Sequence, residues 1–182
     1  VQKASELCSY CTPVEKALIA AMQTRYSTDT TQTRVYLNEL YAAAMKEVHK
    51  NFPQSGDAAA LYADALMVQH PWDLYDRLYK PKPWTPEIVL VLEQLVKQFP
   101  DHPGACHYYI HAIEGSEHPE KGLAVANRLG AMMPGLAHLV HMPSHIYIRS
   151  GYYNKGIEVN ENAVKGYYQY LSQYPPVVNN AF

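Results

Sequence analysis

Residues 104–151 read GACHYYIHAIEGSEHPEKGLAVANRLGAMMPGLAHLVHMPSHIYIRSG and carry six of the nine histidines of the 182-residue chain. His107 and His111 lie four residues apart, and His141 and His145 repeat that spacing 34 residues later. The same interval separates three further pairs, which are Pro100 and Pro134, Lys121 and Lys155, and Gly122 and Gly156. A period of 34 residues is typical of stacked helical hairpins, in which equivalent residues lie side by side. We therefore expect the four imidazoles to converge on one surface.

Capping and proline patterns divide the rest of the chain into similar hairpins. Thr12, Pro13 and Glu15 form a capping-box pattern that predicts a helix from Pro13 to near Tyr26, and a second helix should end at about Asn51. A residue pair ending in proline closes each unit, as in Phe52-Pro53, Phe99-Pro100 and Met133-Pro134. The predicted hairpins are 12–53, 57–100, 104–134 and 136–174, followed by a non-helical tail at 175–182.

The second hairpin exceeds the period by 13 residues, and an insertion at 70–85 accounts for the excess. Its sequence, HPWDLYDRLYKPKPWT, is rich in proline and tryptophan. Such a composition predicts an ordered, non-helical loop or lid rather than a flexible linker. Helix should resume at Pro86 and continue to Phe99.

A run of small and aromatic residues in the last hairpin resembles the tetratricopeptide repeat. The residues that carry the resemblance are Ser144, Tyr147, Gly151, Tyr153, Gly156 and Ala163. The motifs HYYIHAIE and HLVHMPSHIYIRSG, with the PW of the insertion, are further similar to a subset of bacterial repeat proteins. The resemblance covers about 13–174. It implies one all-α domain over 1–182, a solenoid of about four helical hairpins whose first helices line a concave groove.

The resemblance also assigns groove positions to residues of this chain. With Ser144 taken as the eighth repeat position, seven residues with metal-ligating side chains occupy positions that face the groove in this family. They are His138, His141 and His145 in the last repeat, His107, His111 and Glu114 in the one before, and Asp64 in the one before that.

The two histidine pairs predict a transition-metal site. Histidines at i and i+4 lie on one face of a helix and can chelate one ion, so two pairs on neighbouring helices offer four nitrogen ligands. Asp64 and Glu114 could supply an oxygen ligand or orient an imidazole, and His138 is a further candidate. Imidazole-rich sites suit copper, zinc, iron or nickel.

Other interpretations stay open at the level of sequence. Repeat duplication could have copied a structural histidine pair, and Pro143 should interrupt the helix between His141 and His145. The chain lacks the H-E-x-x-H motif, because Tyr108 and Met142 stand where its glutamate would be. Metal binding without catalysis is therefore favoured, and an enzyme would be metal-dependent. The alternatives are a peptide- or protein-binding scaffold and a self-assembling, fibre-forming protein.

The final predicted helix favours self-assembly because it is a poor polar cap for a solenoid. Its apolar residues surround most of the helix, and they are Val159, Ala163, Val164, Tyr167, Tyr168, Tyr170 and Leu171. Head-to-tail contacts through such an end give homo-oligomers or filaments. The tail VVNNAF could add to this contact, although repeats that once followed it would explain the same apolar face.

The remaining composition excludes some classes of function. A formal charge of −2 without a Lys/Arg cluster gives no reason to expect nucleic acid. The apolar runs are shorter than the roughly 20 residues of a membrane span. The chain begins at Val1, which indicates either a mature periplasmic or secreted product of signal cleavage or a fragment.

The three cysteines carry little functional information. Cys8 and Cys11 form a single C-x-x-C, which is a weak zinc motif, and a local disulfide explains it at least as well. Cys106 is expected to pack in the core as a small hydrophobic residue.

Overall fold

The computed structural model describes residues 1–174, and over this range the protein is all-α, as predicted. The helices are α1 (Gln2–Leu7), α2 (Pro13–Thr24), α3 (Arg34–Asn51), α4 (Gly56–Met67), α5 (Thr85–Gln98), α6 (Pro103–Ile113), α7 (Leu123–Met132), α8 (Ala137–His141), α9 (Pro143–Arg149) and α10 (Tyr153–Gln173). Short 3-10 turns cover Cys8–Tyr10 and Pro119–Gly122. The chain divides into two compact units, Val1–Leu95 and a second that begins at Val96.

The start of α2 follows its sequence pattern closely. The side chain of Thr12 accepts a hydrogen bond from the backbone N–H of Glu15, whose carboxylate accepts from the Thr12 N–H at 2.7 Å. The predicted capping box is thus confirmed. The helix ends at Thr24, and α3 ends at Asn51 as expected.

The core of the first unit is built on α3, which packs against α2 and α4. Tyr41 and Met45 of α3 are almost fully buried. Helix α4 presents small side chains to this core, which are Ala58, Ala59, Ala60, Ala63 and Ala65. Glu87 at the start of α5 accepts hydrogen bonds from the Tyr62 hydroxyl at 2.7 Å and from Lys46 at 3.0 Å, so polar contacts hold α5 to α3 and α4.

The insertion is non-helical up to Trp84 and has its own hydrogen bonds, as predicted for an ordered loop. The indole N–H of Trp84 donates to the carbonyl of Asp73 at 2.8 Å, and the hydroxyl of Thr85 donates to the carbonyl of Leu74. The ring of His70 stacks on Trp84 with centres 3.9 Å apart. These contacts join the two ends of the loop.

In the second unit, two glycines of the 34-residue repeat lie where a side chain would collide with a neighbour. A Cβ added to Gly122 would come within 2.9 Å of the side chains of Ile113 and Ile146. One added to Gly156 would lie 3.0 Å from Ile148. The repeated glycine therefore permits close packing of the second helical segment of each hairpin against isoleucine side chains.

The predicted interruption at Pro143 is present. Helix α8 ends at His141 and α9 begins at Pro143, with Met142 between them. Met142 keeps helical dihedral angles, φ −50 and ψ −38, so the direction of the chain changes little. A break in the hydrogen-bonding pattern therefore leaves the surrounding residues on a helical track.

Helix α10 leaves much of its apolar surface in water. Val164, Tyr168 and Tyr170 are 53%, 70% and 45% exposed, while Ala163 is buried. The tail predicted at 175–182 lies outside the described residues. Within residues 1–174, no helix combines the length and the apolar character needed to cross a membrane.

The cysteines occupy two different environments. Cys8 and Cys11 are half-buried free thiols, so no disulfide joins them. Cys106 is fully buried, as expected, and its Sγ donates to the carbonyl of Pro100 at 3.4 Å. Burial raises the pKa of this thiol.

Candidate metal centre

Five imidazoles of the second unit form a closed ring, which we call the histidine ring: His107, His111, His145, His141 and His138. In that order, with the last distance closing from His138 back to His107, the centres of neighbouring imidazoles lie 4.9, 5.5, 4.9, 6.2 and 4.9 Å apart. An ion bonded at about 2.1 Å lies roughly 3.2 Å from the centre of each imidazole, so imidazoles on one ion have centres at most about 6.4 Å apart. Each neighbouring pair of imidazoles is therefore close enough to bind the same ion.

Three helices and their ends position the histidine ring. Helix α6 carries His107 and His111 one turn apart, and Glu114 is its C-cap residue. The short helix α8 carries His138 and His141, and α9 carries His145. The helical track through Met142 places His145 one turn beyond His141, which is why the second pair still faces the first.

Glu114 orients two of the imidazoles. Its two carboxylate oxygens accept from Nδ1 of His111 at 2.9 Å and from Nδ1 of His145 at 2.5 Å. A hydrogen on Nδ1 leaves the lone pair of a neutral imidazole on Nε2, the atom that would bind a metal. Burial raises the pKa of Glu114, but the hydrogen bonds from the two imidazoles outweigh it and lower the pKa to about 2.

Asn160 of α10 orients the imidazole of His141, as Glu114 orients those of His111 and His145. Its carbonyl oxygen lies 2.7 Å from Nδ1 of His141, so Nδ1 carries the hydrogen and Nε2 the lone pair. Sequence reasoning missed this residue. The position one period earlier is Ala126, so comparison of the repeats gives no sign of it.

The Nε2 atoms meet in two pairs. Those of His141 and His145 are 3.0 Å apart, and those of His107 and His138 are 3.1 Å apart. Two lone pairs facing each other at this distance repel unless a proton or a metal ion lies between them. If one ion were bonded to both Nε2 atoms at 2.0–2.1 Å, the N–metal–N angle would be about 95°.

The environment keeps members of the histidine ring neutral. Burial, followed by the neighbouring imidazoles His111, His138 and His145, lowers the pKa of His107 to about 4. Burial and nearby histidines lower the pKa of His138 as well. A neutral imidazole is the form that binds a metal, so near pH 7 no proton has to be removed from these two residues.

Two sets of side chains bring potential ligand atoms within 4.8 Å of one another. One set is His107, His111 and His138, and the other is His111, Glu114 and His145. They share His111, which lies between the two pairs of Nε2 atoms. Six of the seven residues predicted from sequence thus lie together in the second unit.

The seventh residue, Asp64, belongs to neither set. It lies on α4 in the first unit, where its charge adds to the effect of burial in raising the pKa of Tyr41. Four histidines lie outside the histidine ring. His102 caps α6 by accepting from the Ala105 N–H at 3.1 Å, His118 is exposed beside Glu120, and His49 and His70 stack on aromatic rings.

No protein-family model, curated protein or solved structure matches the chain. The function is therefore argued from the geometry of the histidine ring.

Proposed function

We propose that the second unit binds one transition-metal ion, or a close pair of ions, through Nε2 atoms of the histidine ring. The candidate ligands are His107, His111, His138, His141 and His145. The observation that carries the proposal is the pairing of Nε2 atoms at 3.0 and 3.1 Å. For the pair His141 and His145, the Nδ1 atoms are both held by oxygen acceptors, so the two lone pairs face each other.

Hydrogen bonds from metal-binding imidazoles to carboxylate or amide oxygens are a common feature of metal sites. They fix the tautomer and the ring orientation, and their loss typically lowers affinity 10–100-fold. Glu114 and Asn160 would serve in this way here. The donor set is rich in neutral imidazole, which suits copper, zinc or iron.

The competing interpretation is that the histidine ring is purely structural. Each close Nε2 pair would then share a proton as an N–H···N hydrogen bond. In the pair His141 and His145, both Nδ1 atoms already carry a hydrogen, so a proton shared between the Nε2 atoms would make one imidazole positively charged. In the pair His107 and His138, a neutral imidazole with its hydrogen on Nε2 can donate to the other, so this pair is compatible with both interpretations. A metal ion bound by His141 and His145 accepts both facing lone pairs without an added proton, so this pair favours the metal interpretation.

A direct metal titration tests the proposal. The full chain is stripped with chelator and loaded with Zn²⁺ or Cu²⁺, and bound metal is measured by elemental analysis after gel filtration. We expect one or two ions per chain, and loss of most of this metal in a His141→Gln, His145→Gln double variant. The matched control is His118→Gln, which changes an exposed histidine outside the histidine ring. Binding that is absent, or equal in both variants, would reject the proposal.

We also propose that the helical hairpins form a tetratricopeptide-like solenoid. Support comes from the close packing of both Gly122 and Gly156, which lie one period apart, against isoleucine side chains. An experimental structure in which these glycines pack against unrelated elements would contradict this proposal. A peptide- or protein-binding groove stays a prediction.

Exposed side chains on α10 favour self-assembly as a second candidate function. Ile157, Val164 and Tyr168 are 58%, 53% and 70% exposed, and their burial between chains would be favourable. Sedimentation velocity over a concentration series should show association that weakens in a Val164→Ser, Tyr168→Ser variant. A protein that stays monomeric at high concentration would exclude this function.

A further inference from the structure

A cavity of about 210 Å³ lies between α8 and α10 and shares one wall with the histidine ring. His138 is one of the residues that line the cavity, and its Nε2 atom lies 3.1 Å from Nε2 of His107. A molecule bound in the cavity would therefore lie next to a residue of the candidate metal centre.

Two glycines create this space. A Cβ added to Gly135 would meet no atom within 4 Å, and one added to Gly166 would meet only the Cβ of Ala137, at 3.9 Å. Neither glycine has the positive φ that would require this residue type. Glycine at these two positions therefore leaves room beside α8 and α10, although the backbone conformation does not require glycine at either position.

The walls of the cavity are apolar. Leu139 belongs to α8 and Leu136 is the residue before this helix. Tyr167 and Tyr170 belong to α10. Leu136 and Tyr170 are 49% and 45% exposed, so apolar surface at the cavity remains in contact with water. A ligand that covers this surface gains about 25 cal/mol per Å² of buried apolar area.

The size of the cavity limits the ligand. An engineered apolar cavity of about 150 Å³ holds one benzene molecule, so this cavity has room for one aromatic ring with small substituents. The tyrosine rings can stack against such a ring, and the imidazole of His138 can hydrogen-bond a polar substituent. An extended peptide or a long acyl chain would protrude from this volume into water, because the cavity is open to solvent.

We propose that this cavity binds a small, neutral molecule with a single aromatic ring and a hydroxyl substituent, that is, a simple phenol. The ring lies among Leu136, Leu139, Tyr167 and Tyr170, and the hydroxyl faces His138. This inference goes beyond the proposed metal site, because the walls are formed by residues of α8, α10 and the segment before α8 and include no ligand other than His138. In the metal-loaded protein, the phenol would lie beside an imidazole ligand of the ion.

The test uses p-cresol as the probe and the metal-free full chain as the protein. Binding is measured by isothermal titration calorimetry, and NMR follows the ring resonances of His138. We expect saturable binding of one p-cresol per chain that shifts those resonances. Gly135→Leu should fill the cavity and weaken binding at least tenfold, and Gly166→Ala should weaken it severalfold. Gly130→Ala is the matched control, because its Cβ would make an ordinary 3.6 Å contact with Pro143 and Gly130 does not line the cavity.

Circular dichroism and thermal melting of each variant show whether it is folded. Absence of saturable binding, or equal binding by folded Gly135→Leu protein, would overturn the proposal. Tighter binding of octanoate than of p-cresol would overturn the proposal that the ligand is aromatic. A protein that binds p-cresol but no metal would reject the metal centre alone, so the two failures are distinguishable.

Discussion

The Nε2 atoms of His141 and His145 lie 3.0 Å apart, although a break between two helices separates the residues. Contacts from outside this segment fix both rings. Nδ1 of His145 donates to Glu114 at the end of α6, and Nδ1 of His141 donates to Asn160 of α10. The geometry of the pair is therefore set by tertiary hydrogen bonds, and each of these bonds can be removed separately.

Glu114→Gln should weaken metal binding 10–100-fold without abolishing it. Each imidazole donates to a different carboxylate oxygen of Glu114, and glutamine replaces one of these oxygens with an NH2 donor, so either His111 or His145 loses its acceptor. The affinity would be measured by competition with a chelator of known strength. Glu120→Gln is the control, since Glu120 is exposed and pairs with His118. Equal affinity in the two variants would show that Glu114 does not support the site.

Asn160→Ala should lower metal affinity roughly tenfold, because it removes the nearer oxygen at Nδ1 of His141 and leaves only the Ser144 hydroxyl at 3.3 Å, which can accept from Nδ1 or donate to it. The imidazole could then place its lone pair on either nitrogen. Asn162→Ala provides a control on the same helix, where the amide oxygen of Asn162 accepts a hydrogen bond from the exposed Lys165. The tautomer of His141 can be read from its 15N NMR shifts. A mixture of tautomers in Asn160→Ala protein is expected, and an unchanged Nδ1–H tautomer would contradict this role.

Gly122→Ala should destabilise the second unit by about 1–3 kcal/mol, because overpacking a dense core carries this cost. The new methyl would lie 2.9 Å from the side chains of both Ile113 and Ile146. Urea unfolding measures the change. Gly130→Ala, with an ordinary 3.6 Å contact, should be neutral or slightly stabilising. Equal stability of the two variants would mean that the isoleucines move away without cost.

Local sequence patterns predicted the helices because the interactions that define their ends are local. The capping box of Thr12 and Glu15 spans four residues, and Pro143 breaks the hydrogen bonding of its own helix. The histidine ring was partly predictable for a related reason. The 34-residue repeat places His107 and His111 beside His141 and His145, so their convergence follows from the period.

Asn160 could not be found in this way because its partner is distant in sequence. Asn160 contacts a histidine 19 residues away, and its counterpart one period earlier is an alanine. Glu114 was expected to bind the metal or orient an imidazole, and its contacts with two Nδ1 atoms favour orientation. His138 belongs to the histidine ring on equal terms with the repeated pairs, because its Nε2 meets that of His107.

The metal-free protein should lose stability as the pH falls from about 6.5 towards 4. The folded structure lowers the pKa of His107 to about 4, mainly through burial, whereas an unfolded histidine titrates near 6.5. In this range the unfolded chain binds protons that the folded protein excludes, so its free energy falls relative to that of the folded state. Because the group is only partly buried, the expected loss is on the order of 1–3 kcal/mol rather than the full value of the shift.

Urea unfolding of chelator-treated protein at pH 7.5 and pH 5 measures this loss. The lowered pKa of His138 acts in the same direction, so His107→Gln should reduce the difference between the two pH values without removing it. His118→Gln, at an exposed site, should leave the difference unchanged. Glu114 acts at lower pH, because its stabilising charge is lost only as the pH falls from about 4.5 towards 2. An unchanged pH dependence in His107→Gln protein would show that burial of this imidazole does not oppose its protonation.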